Sequence, residues 1–153
     1  MPKLITFSLL SLSLAFIFFL TLTNASTYYV TSFGARSDGQ SDSTRAFLNA
    51  WQAACGSAMA STIIVPDGWF LVTPVVFRGP CKNRITLLIH GTILAPSRVH
   101  HGLGNSGHWI LFSDVNGVEI HGGTLDARGA AFWDCRRSGD DCPVGKRVCS
   151  CHS

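Results

Sequence analysis

Apolar and polar residues along this chain fall into one arrangement that is repeated. It reads Ile63-Ile64-Val65-Pro66-Asp67-Gly68-Trp69-Phe70-Leu71-Val72, then Leu87-Leu88-Ile89-His90-Gly91-Thr92-Ile93-Leu94-Ala95, then Val118-Glu119-Ile120-His121-Gly122-Gly123-Thr124-Leu125-Asp126-Ala127. Each unit is an apolar strand, a glycine and a second short strand. Gly68 and Gly91 are 91−68 = 23 positions apart, and Gly91 and Gly122 are 31 apart. Periods of this size belong to repeat architectures, in which one unit cannot bury its hydrophobic face until the next stacks on it. The β-branched runs Ile63-Ile64-Val65 and Val75-Val76 suit a pleated, buried surface, and glycine permits a sharp bend between strands. Pattern alone leaves two folds open: a parallel β-helix, and an antiparallel β-sandwich with glycine-bearing turns.

Ahead of these units, Tyr28-Tyr29-Val30 predicts a short strand and Ser37 to Asp42 a polar turn. One amphipathic helix follows. Asp42 or Ser43 can cap it, Phe47, Trp51 and Ala54 share a face at i, i+4 and i+7, and Gly56 stands where a left-handed stop is wanted. Such a helix can cover the open end of the first coil of a repeat fold.

The amino terminus reads differently. Met1-Pro2-Lys3, an apolar run from Leu4 to Leu20 and the small-residue exit Thr23-Asn24-Ala25 predict a secretory signal peptide over residues 1–25. The rival is a membrane anchor, but the run is short for a bilayer and no basic cluster follows it. Without Lys3 the charge is 11−9 = +2, with no basic run longer than Arg136-Arg137, which argues against a nucleic-acid partner. No membrane contact is expected after cleavage. All six cysteines follow the leader and fit an oxidising compartment. Cys55 and Cys81 bracket the first unit and are expected to pair. The connectivity of Cys135, Cys142, Cys149 and Cys151 cannot be deduced from spacing.

Specific stretches carry a family resemblance. These are Val30 to Gly39, Asp42-Ser43-Thr44-Arg45-Ala46-Phe47, Ala50-Trp51, Val65-Pro66-Asp67-Gly68, Phe77-Arg78-Gly79-Pro80-Cys81, Gly91 to Pro96, Gly122 to Gly129, and Phe132-Trp133-Asp134-Cys135. Over about residues 28 to 145 the chain resembles the amino-terminal part of plant polygalacturonases, secreted glycoside hydrolases of the pectin-lyase-like type. The resemblance implies a right-handed parallel β-helix, here truncated and with one amino-terminal capping helix, over residues 26–145. It also implies pectin or polygalacturonate as partner, hydrolysis of α-1,4-galacturonosyl bonds by the complete form, and a place in the cell wall.

Inverting hydrolysis needs a carboxylic acid to protonate the leaving oxygen and a carboxylate to activate water. The resemblance assigns these to an Asn-Thr-Asp motif and an Asp-Asp pair, supported by Gly-His-Gly and Arg-Ile-Lys. The 153 residues contain no Asn-Thr-Asp, Gly-His-Gly or Arg-Ile-Lys. Gly139-Asp140-Asp141-Cys142 spells one family motif, but Pro143 argues against the strand that should follow it. The sequence therefore predicts no catalytic, cofactor-binding or metal-ligating residue, and a chain inactive by itself. The alternatives are a non-catalytic fragment that binds pectic polysaccharide or a wall protein, and a lyase of the same fold whose calcium-binding carboxylates are not found.

Other residues read as structural. His100, His101 and His108, with Cys149 and Cys151, lack the paired spacing of a zinc site. His90 and His121 precede Gly91 and Gly122 and are expected to stack as turn neighbours. Asp126 and Arg128 are expected to fix a turn, and Trp51, Trp69 and Trp109 to lie in the core rather than on sugar rings. Residues 146–153 form an atypical cysteine-bearing tail, such as a frameshift or alternative splice produces. An exposed apolar end is expected at Val118, Ile120 and Leu125, and with it self-association through the carboxy-terminal coil.

Overall fold

The computed structural model describes residues 25–96, 108–130 and 137–138. The leader, His100, His101, Trp133, Asp140, Asp141, the four later cysteines and the tail lie outside the described residues.

The first strand of every unit belongs to one sheet. β1 (Ser26–Tyr29), β3 (Ser61–Val65), β6 (Ile85–Ile89) and β9 (Val118–His121) pair in that order, all parallel. The second strands build another sheet from β2 (Asp38–Asp42), β4 (Trp69–Leu71), β7 (Thr92–Leu94) and β10 (Thr124–Asp126). A third sheet pairs β5 (Val75–Arg78) with β8 (Ile110–Ser113). Every described strand pair is parallel, which rules out the antiparallel sandwich.

Alternation decides which side chains go inward. In β3 and β6, Ser61, Ile63 and Val65 and then Ile85, Leu87 and Ile89 are buried, while their neighbours are only partly covered. Register then stacks like on like: Ile63 on Leu87 on Ile120, Phe70 on Ile93 on Leu125, and Phe77 on Phe112. Such columns are the unit of stabilisation in a sheet.

The helix α1 (Thr44–Gly56) buries Ala46, Phe47, Ala50, Trp51 and Ala54 against this core. Ser43 holds its cap position without a side-chain cap bond, and the Asp42 carboxylate, one residue earlier, accepts the Thr44 N–H at 2.9 Å. Ser43 is turned elsewhere, its hydroxyl accepting the Arg36 N–H at 3.0 Å. Cys55 and Cys81 form a disulfide that ties the end of α1 to the loop after β5.

Four expectations are corrected. Residues 38–42 are not a free turn but the edge strand β2, irregular because Asp38 pairs with Trp69 and Asp42 with Leu71. Gly56 is the last helical residue, and Ser57 ends α1 in extended conformation (φ −64°, ψ 140°), so no left-handed stop is used. His90 and His121 do not match, since the register sets His121 against Leu88. The third glycine of the stack is correspondingly Gly123, because Thr92 donates to the Gly68 carbonyl and Thr124 to the Gly91 carbonyl. The fourth is Trp69, which stands on the surface and not in the core.

One turn contracts from unit to unit. Between the column Tyr29, Ile64, Leu88, His121 and the column Asp38, Trp69, Thr92, Thr124, the intervening residues number 8 (30–37), 4 (65–68), 3 (89–91) and 2 (122–123). The shortest turn needs left-handed backbone, and Gly122 (φ +71°) and Gly123 (φ +62°) provide it.

Candidate functional site

Acid–base chemistry would have to come from carboxylates, and of those described all but the exposed Asp67 are engaged in holding local structure. Asp38 Oδ1 accepts the N–H groups of Gln40 and Ser41 at 2.8 and 2.7 Å, and its Oδ2 accepts the Ser41 hydroxyl at 2.7 Å. The Ser41 hydroxyl and these two N–H groups hold its carboxyl down to about 2. A proton donor to a leaving oxygen needs the opposite displacement. Asp42 accepts the Thr44 N–H at the start of α1. Asp114, at φ +57°, accepts the Ser113 hydroxyl at 2.9 Å. Glu119 meets Arg84 at 3.1 Å and His121 at 3.5 Å, all three side chains being largely exposed. Asp126 Oδ1 accepts the Arg128 N–H at 2.8 Å across a turn in which Arg128 takes φ +48°. That is the turn-fixing geometry of an aspartate.

No three ligating side chains cluster among the described residues. Likewise, no helix among them is long and apolar enough to cross a membrane.

The three described tryptophans divide by their indole N–H. Trp51 is buried and donates to the Arg78 carbonyl at 2.9 Å, and half-buried Trp109 donates to the Val72 carbonyl at 2.8 Å. Trp69, expected in the core, is instead 59% exposed. The cause is local: β4 has a period of two, Phe70 takes the inward place at 0% exposure, and Trp69 must point out. That alternation was present in the sequence, but the size of the side chain outweighed it.

The last described units leave their interior open. An apolar cavity of about 180 Å³ lies there, lined by Phe47, Phe77, Ile93, Phe112, Ile120, Leu125 and further aliphatic side chains. Ile120 and Leu125 are 46% and 51% exposed, and Val118 is partly covered. With no polar side chain in its lining to orient a ligand, this cavity is an unfinished core rather than a substrate pocket.

Parallel strands in repeated units, bent at stacked glycines and preceded by one amphipathic helix, define an all-β protein built by repetition. The chain belongs to glycosyl hydrolases family 28, whose model matches residues 55–151. It is 51% identical over 142 residues to a polygalacturonase of Prunus persica, covering 90% of this chain and 36% of that protein. It is 38% identical over 126 residues to the exopolygalacturonase clone GBGE184 of Arabidopsis thaliana, covering 82% and 28%, and 41% identical over 110 residues to a polygalacturonase of Malus domestica, covering 71% and 24%. The chain thus spans 24% to 36% of the length of these relatives.

Proposed function

We propose that this chain is the amino-terminal portion of a polygalacturonase, a right-handed parallel β-helix in which α1 caps the first coil. Its complete form hydrolyses α-1,4-galacturonosyl bonds of pectin. The observation that carries the reading is the 51% identity to the Prunus persica polygalacturonase across 90% of this chain. The leader directs the protein through the secretory route to the cell wall, and cleavage after Ala25 leaves residues 26–145 as β-helix coils followed by the tail.

The chain by itself is inactive on this reading, because two carboxylates must act together, and of those described only the exposed Asp67 is not held in a turn, at the start of α1 or in an exposed ion pair. Reducing ends released from polygalacturonate provide the test. The secreted chain alone should release none, while residues 26–145 substituted for the corresponding part of the Prunus persica relative should sustain hydrolysis. Reducing ends from the chain alone, or a folded but dead chimera, would sink the proposal. Products absorbing in the ultraviolet would point to a lyase instead.

The open apolar end also supports self-association of the isolated chain. Exposed patches of this kind, next to strand edges that have no partner among the described residues, drive chains together. Ile120→Lys with Leu125→Lys should shift the isolated chain toward monomer in size-exclusion chromatography with light scattering. An unchanged profile would place the contact elsewhere.

A further inference from the structure

We infer that the outer face of the sheet β2-β4-β7-β10 binds a neutral, β-1,4-linked pyranose chain, with Trp69 as the stacking surface and Asp38, Thr92 and Thr124 as hydroxyl partners. Register carries the argument. Asp38 pairs with Trp69, Trp69 with Thr92 and Thr92 with Thr124, so the four stand in one row across four strands. Partners in register point to the same face, and strands lie about 4.8 Å apart, which makes the row roughly 14 Å long. A ribbon-like polysaccharide laid across the strands advances by a comparable step per sugar.

The chemistry of the row matches such a chain. A pyranose ring offers a C–H-rich face and a rim of hydroxyls. The exposed indole provides the flat apolar partner for the face, and its N–H has no hydrogen bond among the described residues, unlike those of Trp51 and Trp109. Thr92 and Thr124 bring hydroxyls that donate and accept, while the Asp38 carboxylate accepts only. Beside the ring, Gly39 is at φ +68°, and a Cβ there would stand 3.2 Å from Trp69 Cβ and 3.4 Å from Leu94 Cδ1. The indole is therefore seated against backbone at its base and left open above.

Charge distinguishes this surface from the proposed substrate. The row itself presents one carboxylate, the nearby Arg36 acting on Asp38 only as the smallest of its influences, so the row offers a polyanion no paired cation while a neutral glycan needs none. The inference does not rest on hydrolytic activity, and it holds or fails for the isolated chain.

The test titrates cellohexaose, xylohexaose and hexagalacturonate into the secreted chain, following tryptophan fluorescence and calorimetric heat. Saturable binding of a neutral hexasaccharide is expected, weakened about tenfold or more by Trp69→Ala and about threefold or less by Trp69→Tyr. Because Trp69 is exposed, thermal unfolding of both variants should match the parent, which separates lost binding from lost folding. The proposal is overturned if neither neutral hexasaccharide binds, if Trp69→Ala binds as the parent does, or if hexagalacturonate is the ligand that depends on Trp69.

Discussion

Gly91→Ala is expected to deprive the chain of its folded state, whereas Gly56→Ala leaves it intact or slightly more stable. A Cβ at Gly91 would lie 2.4 Å from the Gly68 carbonyl oxygen, 2.6 Å from that of Pro66 and 2.8 Å from the Gly68 nitrogen. All three neighbours are backbone, so no side chain can swing away. The requirement is for space, since Gly91 is not among the glycines at positive φ. Relief would have to come from parting β4 and β7, where Thr92 N–H donates to the Gly68 carbonyl at 2.8 Å, and any shift of Gly91 also disturbs the bond its own carbonyl accepts from Thr124 of β10 at 3.1 Å. One methyl group therefore strikes two consecutive turns, at a cost of about 4 kcal/mol or more. A small domain has only about 5 to 15 kcal/mol in total. Gly56 is the control, for nothing lies within 4 Å of its Cβ position and it sits at the end of α1. Alanine there should add up to about 0.5 kcal/mol by restricting the unfolded chain. Secreted yield and thermal unfolding followed by circular dichroism decide the matter, and a Gly91→Ala protein melting with the parent would refute the stacked-turn account.

That contrast shows what the sequence discloses and what it withholds. The strands of the three units were legible because Ile63 and Val65, Ile85 and Leu87, and Phe70 and Ile93 alternate inward with less buried neighbours. So was the helix, through the stripe that runs from Phe47 by way of Trp51 to Ala54. Register was not legible. Units related by 24 residues at Ile64 and Leu88 are related by 33 at Leu88 and His121, because the connections differ in length. Equating one His-Gly pair with the other therefore leaves His121 two residues out of register. β2 was hidden for another reason: Asp38 to Asp42 is polar and reads as a turn, and only the edge of β4 makes it a strand. At Trp69 aromatic size points inward while the parity of its position in β4 points outward, and parity decides. For the site, local chemistry was legible at Asp126 and Arg128, where a short carboxylate reaches the N–H two residues on. The row of Asp38, Trp69, Thr92 and Thr124 was not, since its members are brought together only by pairing across four strands.

Trp51→Ala should be the most damaging change within α1. The indole is 3% exposed and its ring lies 5.1 Å from Phe77 and 5.5 Å from Phe112, which themselves stack at 5.2 Å. These three rings join α1 to β5 and β8, so the helix and the two-stranded sheet share one packed cluster. Truncation to alanine removes the largest member and leaves a void beside a core that already contains a cavity lined by Phe77 and Phe112. Tight interiors relax little around such a loss, and the expected cost is about 3 to 5 kcal/mol. Trp51→Phe separates packing from hydrogen bonding. It keeps an aromatic ring in the cluster but removes the donor to the Arg78 carbonyl, at 2.9 Å in the parent, for a loss of about 1 kcal/mol. Urea denaturation without reductant, so that Cys55 and Cys81 stay joined, measures both. If the alanine variant unfolds within about 1 kcal/mol of the parent, which is the ordinary loss for an average substitution, α1 does not belong to the cooperative unit. The helix would then be a detachable cover, and the strand columns alone would have to account for the stability of the first units.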